Sequence, residues 1–354
     1  MVPVLVPLVL GYASSALAQS TPPRTDIVEK WFGSGHADMT SPAFTHWDDE
    51  GEIPPNCAKC HAGSGFRAFY GFDGSTQGVV EHPIASGGNV DCETCHNDAT
   101  STIEFVPFPS EISVANFGSS TTCITCHQGR QSTIGINKAL AELAADKVNS
   151  ELTFINSHYK VAAASLFGTE TKGGYEYEGK AYRGRFTHVP ERAQCTDCHD
   201  PHSLDVEVNA CVACHKTDAP RSIRMSPVDF NGDGDIISGI ADEILDMHRI
   251  LGDTIMAYAD QITETPLVYE AHSYPYFFVD LNANGTADAQ ETIFPNQFKS
   301  WTPRLLKAAY NYQFVAKDTG AYVHNPHYAV QLLFDSLESL SEKVDVTLPD
   351  MKRP

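Results

Sequence analysis

Five copies of Cys-x-x-Cys-His constrain this chain more than any other feature in it: Cys57-Cys60-His61, Cys92-Cys95-His96, Cys123-Cys126-His127, Cys195-Cys198-His199 and Cys211-Cys214-His215. Together they take up all ten cysteines. Cys-x-x-Cys-His is the attachment motif for c-type haem. The two thiols add across the porphyrin vinyl groups as thioethers, and the histidine that follows offers an imidazole to the iron from the same side. Five cysteine pairs do not divide into four-cysteine zinc sites without remainder, and neither zinc nor thiol–disulfide chemistry explains a histidine after every pair. The reading is five covalently bound haems c, with His61, His96, His127, His199 and His215 as proximal ligands.

Residues 1–20, MVPVLVPLVLGYASSALAQS, form an apolar run ending in Ala16-Leu17-Ala18, which predicts a signal peptide over residues 1–18 with cleavage before Gln19. The basic n-region is missing, as a start codon placed too late or a truncated sequence would explain, and the run is short for a membrane span. Haem attachment of this type takes place outside the cytoplasm, so both signals predict an exported protein, extracellular, at the cell surface or in the periplasm. No other segment is long and apolar enough to cross a membrane. A formal charge of −21 argues against nucleic acid as a partner. It suits solubility, and, as a sharper reading, docking to basic patches on redox partner proteins.

From Thr21 to about Asp218 the chain is rich in Gly, Ser, Pro and Thr, and successive proximal histidines lie 35, 31, 72 and 16 residues apart, so there is no strict repeat. Sparse regular structure and a core made largely by the cofactors are expected. The long gap holds one predicted helix, over 137–148 (NKALAELAADKV), and the stretch GTETKGGYEYEGKAYRGRF, read as a β-hairpin or an ordered loop. Beyond Arg221 the cysteines stop and helical periodicity begins. Ile240, Ile244, Met247, Leu251, Ile255 and Tyr258 mark one face of a helix over 238–261. A second helix starts at Thr302 as N-cap with Pro303 at N1, carries Leu305, Leu306, Ala309, Tyr310 and Phe314, and stops near Gly320. A third has Asn325 as N-cap, Pro326 at N1, and Val330, Leu333, Leu337 and Leu340 on one face. The fold class is mainly α with extensive irregular structure: a pentahaem c-type cytochrome domain over 19–220 and a helical domain over 221–354, whose helices pack on each other and cover one side of the haem array.

Fifteen histidines are present, so ten non-proximal ones serve five sixth-coordination positions, and bis-His ligation throughout is feasible. Methionine would raise the potential, but Met247 and Met256 sit in helix patterning and read as core. His202 follows His199 by three residues, too close to reach the opposite face of the same haem, and is assigned to a neighbouring iron. His158 and His188 lie in the long gap, and His36 and His46 precede the first motif; these five complete the distal set. His82, His248, His272, His324 and His327 read as surface or hydrogen-bonded residues, with His324 the first substitute.

Two acidic loops suggest calcium. In DLNANGTADAQE, Asp280, Asn282, Asn284, Gly285 and Glu291 occupy positions 1, 3, 5, 6 and 12 of an EF-hand loop. Asp229, Asn231 and Asp233 open DFNGDGD the same way, but position 12 is Ile240, leaving Asp242 or Glu243 to complete the site. The bound ion would clamp the helical domain. The competing reading is an Asn-Gly turn between strands, since VYEAHSYPYFFVD looks extended.

With these residues in view, the chain resembles the multihaem c-type cytochromes that metal-reducing and related microbes use for extracellular electron transfer. The matching segments are SGHADMTSPAFTHWDD with CAKCHAGSGF, CETCHN, CITCHQGRQST, HYKVAAASLFGTETKGGYEYEGKAY, CTDCHDPH, DFNGDGDIISGI and PRLLKAAYNYQFVAKDTGAYVHNPHYAVQLLFDSL, spanning most of residues 31–340. The resemblance implies closely spaced bis-His low-spin haems, an outer-surface or periplasmic location, and redox proteins or extracellular acceptors as partners. Some relatives polymerise into filaments in which one subunit supplies a distal histidine to the next; here His36 or His46 would be donated. The helical tail is also similar to that of the pentahaem nitrite reductases, but the Cys-x-x-Cys-Lys motif of their catalytic haem is missing. The expectation is an electron carrier with no catalytic residue. The alternative is a multihaem reductase of a small oxyanion, akin to nitrite reductase or hydroxylamine oxidoreductase, with one open iron.

Overall fold

The computed structural model describes residues 24–346 and 350–354, so the leader expected over 1–18 lies outside the described residues. Between Thr25 and Ser222 no helix exceeds eight residues. Four of the five motifs sit on short helical segments, Pro55–His61, Cys92–Cys95, Thr121–Cys126 and Asn209–His215, and the remaining one opens on a 3₁₀ turn, Cys195–Asp197. A helical turn is what Cys-x-x-Cys asks for, because side chains three residues apart stand on one face. Local chemistry starts these turns: Pro55 occupies N1 of the first, and Asp91 caps the second by accepting from Thr94 N at 2.9 Å. Two two-stranded antiparallel ribbons, Glu52–Ile53 with Ile84–Ala85 and Phe105–Pro107 with Ser113–Ala115, complete this region's regular structure. Small apolar clusters lie beneath the first and third motifs, one around Ile53, Ala58 and Ala68 and one around Phe66, Val106, Ile124 and Phe167.

The C-terminal part is built on three long helices, Ile240–Thr263, Pro303–Lys317 and Pro326–Ser341, which pack on one another. Their starts follow the caps read from sequence: Thr302 Oγ1 accepts from Leu305 N at 3.2 Å and Asn325 Oδ1 from Tyr328 N at 3.2 Å. Ile244, Met247, Leu251, Ile255, Tyr258, Leu305, Leu306, Tyr310, Leu333, Leu337 and Leu340 are all buried in one core. The extended reading of the segment before the second acidic loop corresponds to the ribbon Leu267–Tyr269 with Phe277–Val279. Among the described residues no helix is long and apolar enough to cross a membrane.

One local expectation changes and one open alternative is resolved. The helix expected over 137–148 runs instead over Thr133–Ala139, starting at Ser132, whose hydroxyl accepts from Gly135 N at 3.3 Å. It stops because the backbone beyond it has other partners: Ala145 O accepts from Arg304 N at 2.9 Å, Asn149 N donates to Trp301 O at 3.0 Å, and Glu142 adopts a positive φ of 64°. The Gly- and Tyr-rich stretch forms no strand and is the ordered loop. Its backbone groups are satisfied by helix side chains: Tyr175 N donates to Asn311 Oδ1 at 2.7 Å, Arg183 N to Gln331 Oε1 at 2.7 Å, and Gly173 O accepts from Tyr310 OH at 2.6 Å. Gly174 sits so close to Leu332 that a Cβ would stand 2.3 Å from its Cδ1. Ile136, Leu152, Val161, Tyr175 and Tyr182 thereby join the core of the long helices, so the chain between the third and fourth motifs packs with the C-terminal part.

Asn311 is fully buried and also donates to Tyr175 O at 3.0 Å and Ser336 Oγ at 3.0 Å. Asn311→Ala is expected to cost about 1–3 kcal/mol for each polar group left unpaired. A lowered melting temperature with amide protection lost first at Tyr175 is the expected result; an unchanged melting curve would contradict this account.

Candidate haem sites

A bis-His haem c site requires two thiols and two imidazoles on opposite sides of one plane. An iron held at about 2 Å by a nitrogen of each ring puts the ring centres about 6 Å apart. The five motif histidines each face one histidine from outside the motifs. The ring centroids lie 6.3 Å apart for His127 and His36, 5.8 Å for His61 and His158, and 6.0 Å for His96 and His202. For His215 and His188 the separation is 5.7 Å, and for His199 and His324 it is 6.4 Å. No histidine is used twice. Direct stacking is tighter, as the 3.9 Å between His248 and Tyr312 illustrates. Because both ring planes contain the coordination axis, their mutual angle is free, and it runs from 9° to 75°. These separations and the free cysteines fit the group that the motifs imply.

Turns and one short helix place four of the facing histidines. Trp31 Nε1 donates to Val90 O at 3.0 Å and Val90 N to His36 O at 3.2 Å, tying the turn that bears His36 to the chain before the second motif. His158 adopts φ 77° in a turn where its N–H donates to Asn156 Oδ1 at 2.8 Å. His202 follows an Asx turn in which Asp200 Oδ1 accepts from the backbone of His202 and Ser203 at 2.9 and 3.0 Å. His324 ends the short helix Ala321–His324 that joins two of the long helices.

Hydrogen bonds select the tautomer. A carbonyl can only accept, so Nδ1 of His61 donates to Ala43 O at 2.6 Å and Nδ1 of His127 to Lys160 O at 3.2 Å, leaving each Nε2 as a free lone pair. Burial holds His127 and His158 down to about 4 and also lowers His36, His61, His188 and His199. Neutral imidazoles are the form that binds metal. His324 goes the other way: burial disfavours its cation, but the Asp318 carboxylate outweighs that and raises its pKa.

Neighbouring motifs adjoin at their cysteines. The Cys60 and Cys126 side chains lie against each other, with Cys60 Sγ 4.0 Å from Thr125 O and Cys126 Sγ 3.8 Å from Lys59 O, and those of Cys123 and Cys195 are likewise adjacent. Cys195 N also donates to Ser120 Oγ at 2.7 Å. Cys95 lies beside the Thr122 side chain, and Cys198 lies near Cys211. The third motif therefore stands beside the first, second and fourth, and the fifth stands beside the fourth.

Of the five distal candidates, His36, His158, His188 and His202 each face a motif histidine. His46 does not: it is exposed with its ring 4.7 Å from Trp47, and Trp47 packs between it and His61 at 5.1 Å. His324 occupies the place opposite His199. Proximity to the first motif along the chain favoured His46, and no spacing marked His324.

In the acidic loops the carboxylates turn onto backbone N–H groups. Asp280 accepts from Asn284 and Gly285, Glu291 from Leu281 and Asp288, and Asp229 from Gly232 and Gly234. Asn282 and Asn284 both donate to Asp288. Asn231 donates to Asp233 at 3.1 Å. Glu243, which accepts from Phe230 N at 2.8 Å, is ion-paired with Arg224. Among the described residues no group of three or more His, Cys, Asp or Glu is gathered closely enough to hold a metal ion by itself.

The chain is 28% identical to the C-type polyheme cytochrome OmcC of Geobacter sulfurreducens over 394 aligned residues, covering 95% of this chain and 49% of that protein. It is 27% identical to the C-type polyheme cytochrome OmcB of the same species over 226 residues, 55% of this chain and 29% of that one. The chain thus spans about half the length of the first relative and under a third of the second. No protein-family model and no solved structure matches it. The chain is related to multihaem c-type cytochromes, as its motifs imply.

The geometry separates His324 from His46. His324→Ala is expected to convert one haem per chain from low-spin to high-spin in the ferric electron paramagnetic resonance spectrum, and His46→Ala to convert none. The reverse result would return His46 to the ligand set.

Proposed function

We propose that the chain is an electron carrier holding five haems c, each bound by its own cysteine pair and by two imidazoles of this same chain. The axial pairs are His61 with His158, His96 with His202, His127 with His36, His199 with His324, and His215 with His188. The observation that carries this reading is the set of five facing pairs at 5.7 to 6.4 Å, which leaves no motif histidine without a partner. Its relatives are polyheme cytochromes, and the same class of cofactor is proposed here.

Bound haem supplies reversible one-electron Fe³⁺/Fe²⁺ chemistry, with its potential set by axial ligands and surroundings. The polypeptide anchors each macrocycle at two thioethers and presents Nε2 lone pairs from oriented rings. A reductase would instead need one position open to substrate, and each facing imidazole argues against one. Filament assembly by donation of a histidine in trans would likewise need a vacancy: His36 already faces His127, and the first motif's His61 already faces His158, with Trp47 between it and His46. The proposed unit is complete in its ligands, exported to the cell surface or periplasm, and exchanges electrons with redox proteins or extracellular acceptors.

A second proposal concerns calcium in the loop from Asp280 to Glu291. Both end residues are buried carboxylates without an ion-pair partner among the described residues, and a buried anion calls for a cation. The Asp229 loop has less need of one, because Arg224 already neutralises Glu243.

Electron paramagnetic resonance on the oxidised holoprotein, quantified against total haem, tests the main reading. Five low-spin ferric haems per chain are expected, and one high-spin haem per chain would favour the reductase. For calcium, a chelator is expected to lower the melting temperature of the wild type but not of Glu291→Gln. A wild-type melting curve indifferent to chelation would remove calcium from this reading.

A further inference from the structure

The five facing histidines differ in what holds their outer nitrogen. Nδ1 of His324 lies 2.7 Å from Asp318 Oδ1, and the Asp318 side chain is 2% exposed. The same oxygen accepts from Gly320 N at 3.1 Å, while Oδ2 is buried beside the Ser165 hydroxyl with no hydrogen bond. No lysine or arginine among the described residues is ion-paired with Asp318. Lys317, next to it in the chain, turns away, with Nζ 4.0 Å from the Tyr159 ring centre, 4.6 Å from that of Tyr276, and 3.1 Å from Ala271 O. The carboxylate is therefore directed at one imidazole.

The pocket is shaped to this purpose. A Cβ at Gly320 would stand 2.5 Å from His324 Cε1, so only glycine lets the ring lie back against that turn and still reach Asp318. No other facing histidine is held this way. Asp200, the acidic residue near His202, is 4.0 Å from its Nδ1 and is ion-paired with Lys30 at 2.6 Å. Its Oδ1 already takes two backbone N–H groups.

We infer that Asp318 is a positioning and tuning residue for the fourth motif: it locks His324 with Nε2 toward the iron and, by accepting from Nδ1, lowers the reduction potential of the iron shared with His199. A carboxylate acceptor raises the basicity of the ligating nitrogen and places negative charge near the iron in a low-dielectric setting. Both effects favour Fe³⁺ over Fe²⁺ and so oppose uptake of the one electron that the couple accepts. The inference rests on the reading that His324 ligates iron. That reading fails separately, through a high-spin haem in the wild-type spectrum before any substitution is made.

The test is a spectroelectrochemical titration of the holoprotein, with the electron supplied by the titrant, on the wild type, Asp318→Asn and Asp318→Glu. Electron paramagnetic resonance on each variant counts the low-spin haems. In Asp318→Asn one of five redox components is expected to move to higher potential with five haems still low-spin, while Asp318→Glu keeps that component near its wild-type position. A low-spin haem lost in Asp318→Asn but kept in Asp318→Glu also supports the inference, because the charged acceptor then holds the ring. Superimposable titrations for wild type and Asp318→Asn, or an equal upward shift in both variants, would overturn it. Loss of a low-spin haem in both variants would assign Asp318 to folding alone and overturn it as well.

Discussion

Each motif histidine faces an imidazole from a distant part of the chain, and the remaining architecture can be understood as what it takes to bring those partners together. His36 reaches His127 from the N-terminal turn, His158 reaches His61 from the long gap, and His324 reaches His199 from between two C-terminal helices. Short helical turns and loops suffice for most of this, because a histidine at a turn needs only local hydrogen bonds to hold its angle. The proposed ligation across such separations would close large loops, and folding and cofactor binding are expected to be coupled accordingly.

Two pairs depend on more than loops. The three long helices form the only extensive apolar core among the described residues, and the segment between the third and fourth motifs is packed into it through Asn311, Tyr310, Tyr328 and Gln331. That frame fixes His158 through Ser157 N, which donates to Gln313 Oε1 at 3.1 Å, and it carries His324 and Asp318 directly. A helical frame is stiff where the loops are not, and it serves the site at which a buried carboxylate must meet an imidazole at 2.7 Å.

The adjoining cysteines give the array a shape that its order along the chain does not. Cys126 lies beside Cys60 and Cys123 beside Cys195, so the third motif adjoins two others at its two cysteines and stands beside the second as well. Close contact between attachment points suits a carrier, since it brings the cofactors of adjacent motifs near one another. Partial burial lowers the pKa of His36, His61, His127, His158, His188 and His199 and leaves their lone pairs available.

The sequence by itself determined whatever depends on neighbours within a turn or two. Cys-x-x-Cys-His is read directly because its spacing answers to the dimensions of one cofactor, and the long helices are read from period 3.6 and from the caps Thr302 and Asn325. The tertiary structure decided which distant groups meet. The facing histidines lie 27 to 125 residues from their partners, so no local spacing rule distinguishes His324 from His46. The helix expected over 137–148 gave way for the same reason, its backbone finding Trp301 and Arg304 in place of its own next turn. Covalent attachment and helix periodicity are short-range constraints. The pairing of histidines is long-range, set by packing that brings each imidazole opposite another.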